Sequence, residues 1–470
     1  MRRRIIILFG LIVMIFFVAA TFVQWQSMRG LRPDRPSAAW PALHEAVRAG
    51  DLAALRSLIT GGADVDQPID PRDPYYGGMT PLMVAAAFGD EESIGVLLHS
   101  RAAVNRRDAR GATALHWAFE MDRPANARAL IGVGADPDIE NAESQRPLHL
   151  AARRGHPELV AQLLEAGADP DPTPPAGQSP LMRAAWYGHE EVMRLLIDAG
   201  AQADRSNAQG WTALMSAARS GCEPCIDLLI EHGAALEARE QLDRTALLIA
   251  TAHGTISAMR HLLAVGADVD AVDHGDTGVL ANAVLRQEPE RVELALRYDP
   301  DLERMTDIGL TPLGLAAQYR SAEIVRLLLE AGAAIEIEAP NGYTPLHWAA
   351  HYGEAASVKL LLEAGAPVDH QDHDGITALM LAVSLQDQEK VDLLLGAGAD
   401  ANLTSRDDAT ALWWAVAAST PEIVWQLLEA GGDPHRANET GLTPRDVAAL
   451  RTGAHAEEIQ RRLEQWIGDE

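Results

Sequence analysis

From Tyr343 to Asp369 the chain reads YTPLHWAAHYGEAASVKLLLEAGAPVD, and apolar residues fall at helical spacing twice within it. Leu346, Ala349 and Ala350 make one narrow apolar face, and Val358, Leu360, Leu361 and Leu362 make a second, denser one. Recurrence at three and four residues marks helices with one buried side. Thr344 followed by Pro345 predicts the start of the first helix: a hydroxyl satisfies free N–H groups, and proline suits the first helical position. Gly353 and Gly365 are expected to end the two helices. The stretch from Pro367 to Gly375 must then carry the chain, in extended form, to the next unit.

This unit recurs without a break. Threonine or a substitute returns every 33 residues, at Thr80, Thr113, Arg146, Ser179, Thr212, Thr245, Gly278, Thr311, Thr344, Thr377, Thr410 and Thr443. An alanine follows five residues later in every copy, from Ala85 to Ala448. A leucine follows two residues later in every copy except the last, where Arg445 stands. A fixed period of that length means a stacked array whose units touch only their neighbours, and it argues against an enzyme domain.

The motifs Thr80-Pro81-Leu82, Leu148-His149-Leu150-Ala151-Ala152, Gly155-His156 and Leu163-Leu164-Glu165-Ala166-Gly167-Ala168-Asp169 resemble the ankyrin repeat. The resemblance covers residues 39–470. It implies an all-α fold, an ankyrin-repeat α-solenoid of about 12–13 helix–loop–helix repeats with β-hairpin-like fingers. Trp40 to Asp66 form a first copy without the Thr-Pro start, and its outgoing finger carries an insertion with Pro68, Pro71, Pro74, Tyr75 and Tyr76. Residues 442–470 read as a C-terminal cap ending in a polar amphipathic helix. The copy at 278–303 is degenerate: Gly278 replaces threonine, and Gln287 and Asp299 replace both turn glycines, which reads as drift in a tolerated copy, with a bend or soft point in the array as the alternative.

Ahead of the array, Arg2-Arg3-Arg4 precede a run from Ile5 to Val23 that carries no charge. A run of that length spans a bilayer core as a helix, which predicts one N-terminal apolar helix at 1–23 and membrane contact through residues 5–23. Val18-Ala19-Ala20 leaves a cleaved signal peptide as the alternative. Residues 24–38 read as a flexible linker. Arginines on both sides of the apolar run make the orientation rule lean only mildly, towards an inside amino terminus. The expected location is a single-pass anchor in the inner membrane with the array in the periplasm; the alternatives are a secreted or periplasmic product after cleavage, or an array facing the cytoplasm.

Charge narrows the partner. Residues 1–36 carry six arginines and one aspartate, a net of +5, so the remaining 434 residues carry −33 of the overall −28. That field repels phosphate backbones and excludes nucleic acid as the expected partner. A protein with a basic surface is the natural complement, met by the array as a monomer.

Little in the sequence carries chemistry. Cys222 and Cys225 form a lone C-E-P-C, too few ligands for a zinc site but a conceivable redox pair at a helix start. His116, His149 and His347 occupy the T-P-L-H slot and are expected to bond within their own copies. The strings Asp268–Asp276 and Asp369–Gly375 suggest calcium, yet no glutamate follows at EF-hand spacing. No catalytic residue, metal site or cofactor is expected. The expected contact surface lies on the fingers and first helices, carried by Trp117, Trp186, Tyr187, Trp211, Tyr319, Tyr343, Trp348, Tyr352 and Trp413, because Trp and Tyr bury much area with few rotors to freeze. The expected function is a protein-binding scaffold or adaptor, with an inhibitor or protective partner of an exported enzyme or toxin as a sharper variant and a thiol-redox protein as the alternative of another class.

Overall fold

The computed structural model describes residues 40–172, 177–418, 420–452 and 455–469. Among them lie twenty-six α-helices in consecutive pairs, the first being Ala42–Ala49 with Leu52–Thr60 and the last Pro444–Leu450 with Ala456–Asp469. Among the described residues no strand forms in the fingers, where pairing is limited to isolated bridges such as the antiparallel Val272 with Gly278 and Thr404 with Thr410. The expected apolar helix at 5–23 lies outside the described residues, and no described helix is long and apolar enough to cross a membrane.

The chain divides into two compact units, residues 1–208 and 209–470. Within each, first helices pack on the first helices of the following copy and second helices on second helices. The recurring residues explain the pairs. Threonine hydroxyls accept the N–H of the third helical residue, as at Thr212 to Met215, Thr311 to Gly314 and Thr443 to Asp446, each at 3.2 Å. The invariant alanines at 85, 118, 151, 184, 217, 250, 283, 316, 349, 382 and 415 have no exposed surface, and the leucines two residues after each threonine are buried with them. Side chains of that size are what allow first helices to lie close against one another.

Both ends of the array close on aromatic residues. Tyr76, from the insertion after the first copy, is buried and packs edge-on against Trp40 at 5.2 Å and Phe88 at 5.9 Å. The final helix buries Ile459 and Leu463 on its apolar side and sets Trp466 edge-on to Trp425 at 5.4 Å.

The degenerate copy keeps the geometry of its neighbours. Gln287 and Asp299 adopt φ of 54° at both turns, the left-handed conformation that glycine takes without steric cost. Its second helix, Pro289–Leu296, buries Arg291, whose Nη1 donates to the Ala250 and Thr251 carbonyls at 3.1 and 3.2 Å and whose Nη2 donates to Gly254 O at 2.9 Å. Those carbonyls lie at the end of the first helix of the preceding copy, where backbone donors run out, although Ala250 O also accepts from Gly254 N–H at 3.0 Å. Asn126 and Lys390 hold the same register in their own copies. Asn126 Nδ2 bonds Ala85 O, Ala86 O and Gly89 O, while Lys390 Nζ bonds Ala350 O and Gly353 O.

Candidate interaction surface

Several fingers are shaped by a polar side chain five residues ahead of the threonine. Asp273 Oδ1 accepts from the N–H groups of Gly275 and Thr277 at 2.9 and 3.0 Å, and Asp372 Oδ1 accepts from Asp374 and Ile376 at 2.9 and 2.7 Å. Many adjacent fingers are joined by a backbone bond, such as Asp307 N–H to Gly275 O at 2.9 Å and Arg406 N–H to Asp374 O at 2.7 Å. Further carboxylates reach the next copy: Asp270 accepts from Asp301 N–H and Asp369 from Asp400 N–H, both at 2.8 Å. The two acid-rich strings therefore have a structural use as acceptors for backbone N–H groups. Among the described residues no three His, Cys, Asp or Glu side chains converge on a point that would hold a metal ion.

The histidines of the T-P-L-H slot correct the sequence reading. One nitrogen does bond at home, with His116 Nδ1 accepting from Thr113 N–H at 3.2 Å and His347 Nδ1 from Thr344 N–H at 3.3 Å. The other crosses to the following finger, where His116 Nε2 donates to Gln145 O at 3.0 Å and His347 Nε2 to Ile376 O at 3.1 Å. His44 makes the same crossing to Met79 O at 3.0 Å. Burial disfavours the imidazolium and pushes the pKa of His44, His116 and His347 down to about 4. For His149 burial, followed by the charge of Arg183, lowers it to about 3.

These shifts set a pH dependence. A histidine held neutral in the fold ionises in the unfolded chain near its usual value of 6.5, so between that pH and about 4 the unfolded chain binds more protons. Stability contributed by the neutral form is complete above pH 6.5 and declines as pH falls towards 4. The melting temperature is expected to drop steadily across that interval in a thermal scan, and a flat profile would contradict the burial argument.

The aromatic residues separate into two groups. Trp117 is only 4% exposed, and its Nε1 donates to buried Asp108 Oδ2 at 2.8 Å. It belongs to the packing of its copy, which removes it from the expected contact surface. Trp186 and Trp211 are partly buried, Trp211 donating to Ser216 Oγ at 2.8 Å, and Trp413 is also partly buried with its Nε1 on Leu442 O at 3.2 Å. The tyrosines just before the turn point outward instead: Tyr187 is 54%, Tyr319 41% and Tyr352 48% exposed.

Tyr352 belongs to a continuous patch. The ring of Tyr343, at the end of the finger, lies 5.0 Å from Trp348, which stacks on Tyr352 at 5.6 Å, and Tyr352 stacks on His351 at 4.0 Å. Finger and first helix are thus linked by touching rings. In the flanking copies the same register holds Tyr319 and Leu385, the latter 46% exposed and outside the set of aromatic residues expected at the surface. Exposed Asp307, Glu338, Asp374 and Asp407 lie on the fingers of this unit.

Cys222 and Cys225 are joined in a disulfide at the start of helix Glu223–Glu231, with Cys225 fully buried.

With this geometry the comparisons agree. The family model for ankyrin repeats (3 copies) matches residues 43–141, 125–207, 199–273, 280–372 and 358–438, and the chain belongs to that family. Among curated proteins it is 36% identical over 104 residues to mouse Rabankyrin-5, a match taking in 21% of this chain and 9% of that protein. It is 35% identical over 105 residues to human Neurogenic locus notch homolog protein 1, taking in 22% of this chain and 4% of that protein. The chain therefore spans less than a tenth of the length of these relatives. Among solved structures, the ankyrin repeat domain of Bcl-3 aligns with a TM-score of 0.43 at 29% identity, covering 47% of this chain and 99% of that one. Ankyrin repeats mark a protein–protein interaction scaffold, a class of module that is generally non-catalytic.

Proposed function

We propose that the chain captures a basic protein partner on the finger and first-helix surface of residues 209–470, held at a membrane by residues 5–23 with the repeats on the exported side. The observation that carries this reading is the row Tyr319, Tyr352 and Leu385, large apolar side chains exposed at one register in three successive copies. Scattered exposed apolar residues are ordinary, whereas a contiguous row beside stacked rings has the makeup of a binding hot spot. The exposed finger carboxylates favour a basic partner and predict that salt weakens its capture.

The disulfide supports the exported side, since such bonds persist mainly in oxidising compartments. It gives less support to the thiol-redox reading, because a fully buried Cys225 is poorly placed for exchange with another molecule. Inhibition or protection of an exported enzyme or toxin is a sharper form of the same capture.

The test compares the full-length chain with the triple variant Tyr319→Ala/Tyr352→Ala/Leu385→Ala. Quantitative cross-linking and pull-down from the membrane fraction should show a salt-sensitive partner whose recovery falls about tenfold or more in the variant, as loss of hot-spot side chains does. Its thermal unfolding should stay close to that of the parent chain. Undiminished capture would defeat the reading, and so would a variant that no longer folds.

A further inference from the structure

The first unit holds a cationic cluster that runs against the charge of the array. Arg153 and Arg154 close the first helix Pro147–Arg154, and Arg183 sits in the first helix of the next copy, Pro180–Tyr187. Arg153 Nη2 pairs with Glu120 Oε2 at 2.6 Å. Arg154 Nε donates to Phe119 O at 3.0 Å, and its Nη2 donates to the Glu120 carbonyl. One carboxylate is thus paired within a group of three guanidiniums. Arg183 makes no ion pair among the described residues, and its Nε is buried without a hydrogen-bond partner. Burial, followed by the charge of Arg153, lowers its pKa to about 10, and Tyr187, Glu143 and Glu120 offset that only in part.

Holding a guanidinium out of water with no anion costs several kcal/mol, so an unmatched one contributes little to the stability of the free chain. Part of Arg183 stays open to solvent, although its Nε does not. Tyr187, 54% exposed, stacks on His189 at 6.1 Å, and His189 Nε2 in turn bonds Arg153 O at 3.1 Å. An exposed ring thereby sits beside the charges, ready to cover an incoming side chain.

We propose that Arg183, with Arg153 and Arg154 beside it and Tyr187 at its edge, is a docking site for an acidic segment of a protein partner, which brings the missing carboxylate. A carboxylate matches the planar guanidinium fork in bidentate fashion. A chain whose array carries −33 repels extended polyanions, so the site suits a short acidic segment set in an otherwise neutral or basic surface. This site lies in residues 1–208 and is independent of the capture surface proposed for residues 209–470.

The test uses a fluorescently labelled peptide with two adjacent glutamates flanked by neutral and basic residues, and fluorescence anisotropy on the full-length chain at low salt. The parent chain should bind it, and added salt should weaken binding. Arg183→Met should reduce affinity about tenfold or more, the scale of a lost charge-assisted hydrogen bond, while its melting temperature holds or rises. Tyr352→Ala should leave peptide binding unchanged, which separates this site from the other surface. No binding by the parent chain, or equal binding by Arg183→Met, would overturn the proposal. A fall in melting temperature with peptide binding retained would overturn it too, by making Arg183 a structural residue. Displacement of the peptide by lower concentrations of inorganic phosphate would overturn the carboxylate assignment in favour of a phosphorylated ligand.

Discussion

Replacing Arg291 with alanine is expected to lower the unfolding free energy by about 3 kcal/mol or more, the range seen when a buried charged group leaves its partners unmatched. The substitution leaves the carbonyls of Ala250, Thr251 and Gly254 without the guanidinium that they bond. Ala250 O keeps the Gly254 N–H at 3.0 Å, whereas Thr251 O and Gly254 O lie where the helix Ala246–His253 ends and lose the donor that Arg291 supplies. The loss should be local to the junction between two copies, because units in an array contact only their neighbours. Urea unfolding measures the magnitude, and hydrogen exchange locates it. Amides at 250–254 and 279–296 should lose protection first in Arg291→Ala. Arg291→Lys should recover part of the loss, because Lys390 shows that an ammonium at this register bonds the corresponding carbonyls. Unchanged stability in Arg291→Ala would mean that water replaces the guanidinium at little cost.

Trp117→Ala is expected to cost about 3–5 kcal/mol, the usual range for deleting a large buried aromatic. Its indole fills the interior of its copy, and Asp108 accepts the indole N–H while shaping the finger through bonds from Arg110 N–H and Ala112 N–H. Truncation leaves a cavity and strips one oxygen of a buried carboxylate of its donor. Trp117→Phe tests the division between those effects. It restores most of the volume without the N–H and should recover more than half of the loss if packing dominates. Thermal or urea unfolding reads both variants, and an alanine variant as stable as the parent would return Trp117 to the surface.

Two of the three tryptophans of that register, Trp117 and Trp348, show where sequence reading succeeds and where it stops. Trp117 and Trp348 each lie four residues after their threonine, and the pattern alone gives them one role. The difference lies five residues ahead of the threonine. There the first copy has Asp108, an acceptor for the indole, and the second has Ala339, which offers none. Trp348 Nε1 is accordingly buried without a hydrogen-bond partner, and its ring is held between Tyr343 and Tyr352. Reading the finger residue together with the helix residue would have separated them.

The repeat register, the helix starts at Thr-Pro and the buried alanine–leucine face were legible because each is a local requirement met again in every copy. The links between copies were not. Asn126, Arg291 and Lys390 occupy a register that is elsewhere mostly apolar, holding Leu159, Val192, Cys225, Ala258, Ile324 and Ile423, with serine at Ser93 and Ser357. A charge at an apolar register reads as decay until the carbonyls it meets, some forty residues earlier, are placed in space. Arg291 lies within the copy that looked most damaged, and there it supplies what the missing glycines and threonine do not. The exposed tyrosines are legible from register and ring chemistry, whereas the exposure of Leu385 shows only in the fold, since a leucine in a helix has the pattern of a core residue.

The bonds from one copy to the next run at fixed separations. Beyond the first copy, whose insertion lengthens the spans to 37 and 35, the loop carboxylates and amides that receive a neighbour's backbone are 31 residues away and the histidine crossings span 29. A deletion of one whole period inside residues 209–470 would present every donor with an equivalent acceptor, whereas a cut a few residues shorter would present it with none. Length in this protein is therefore quantised, and its growth by duplication needs no new bonding vocabulary at the seam.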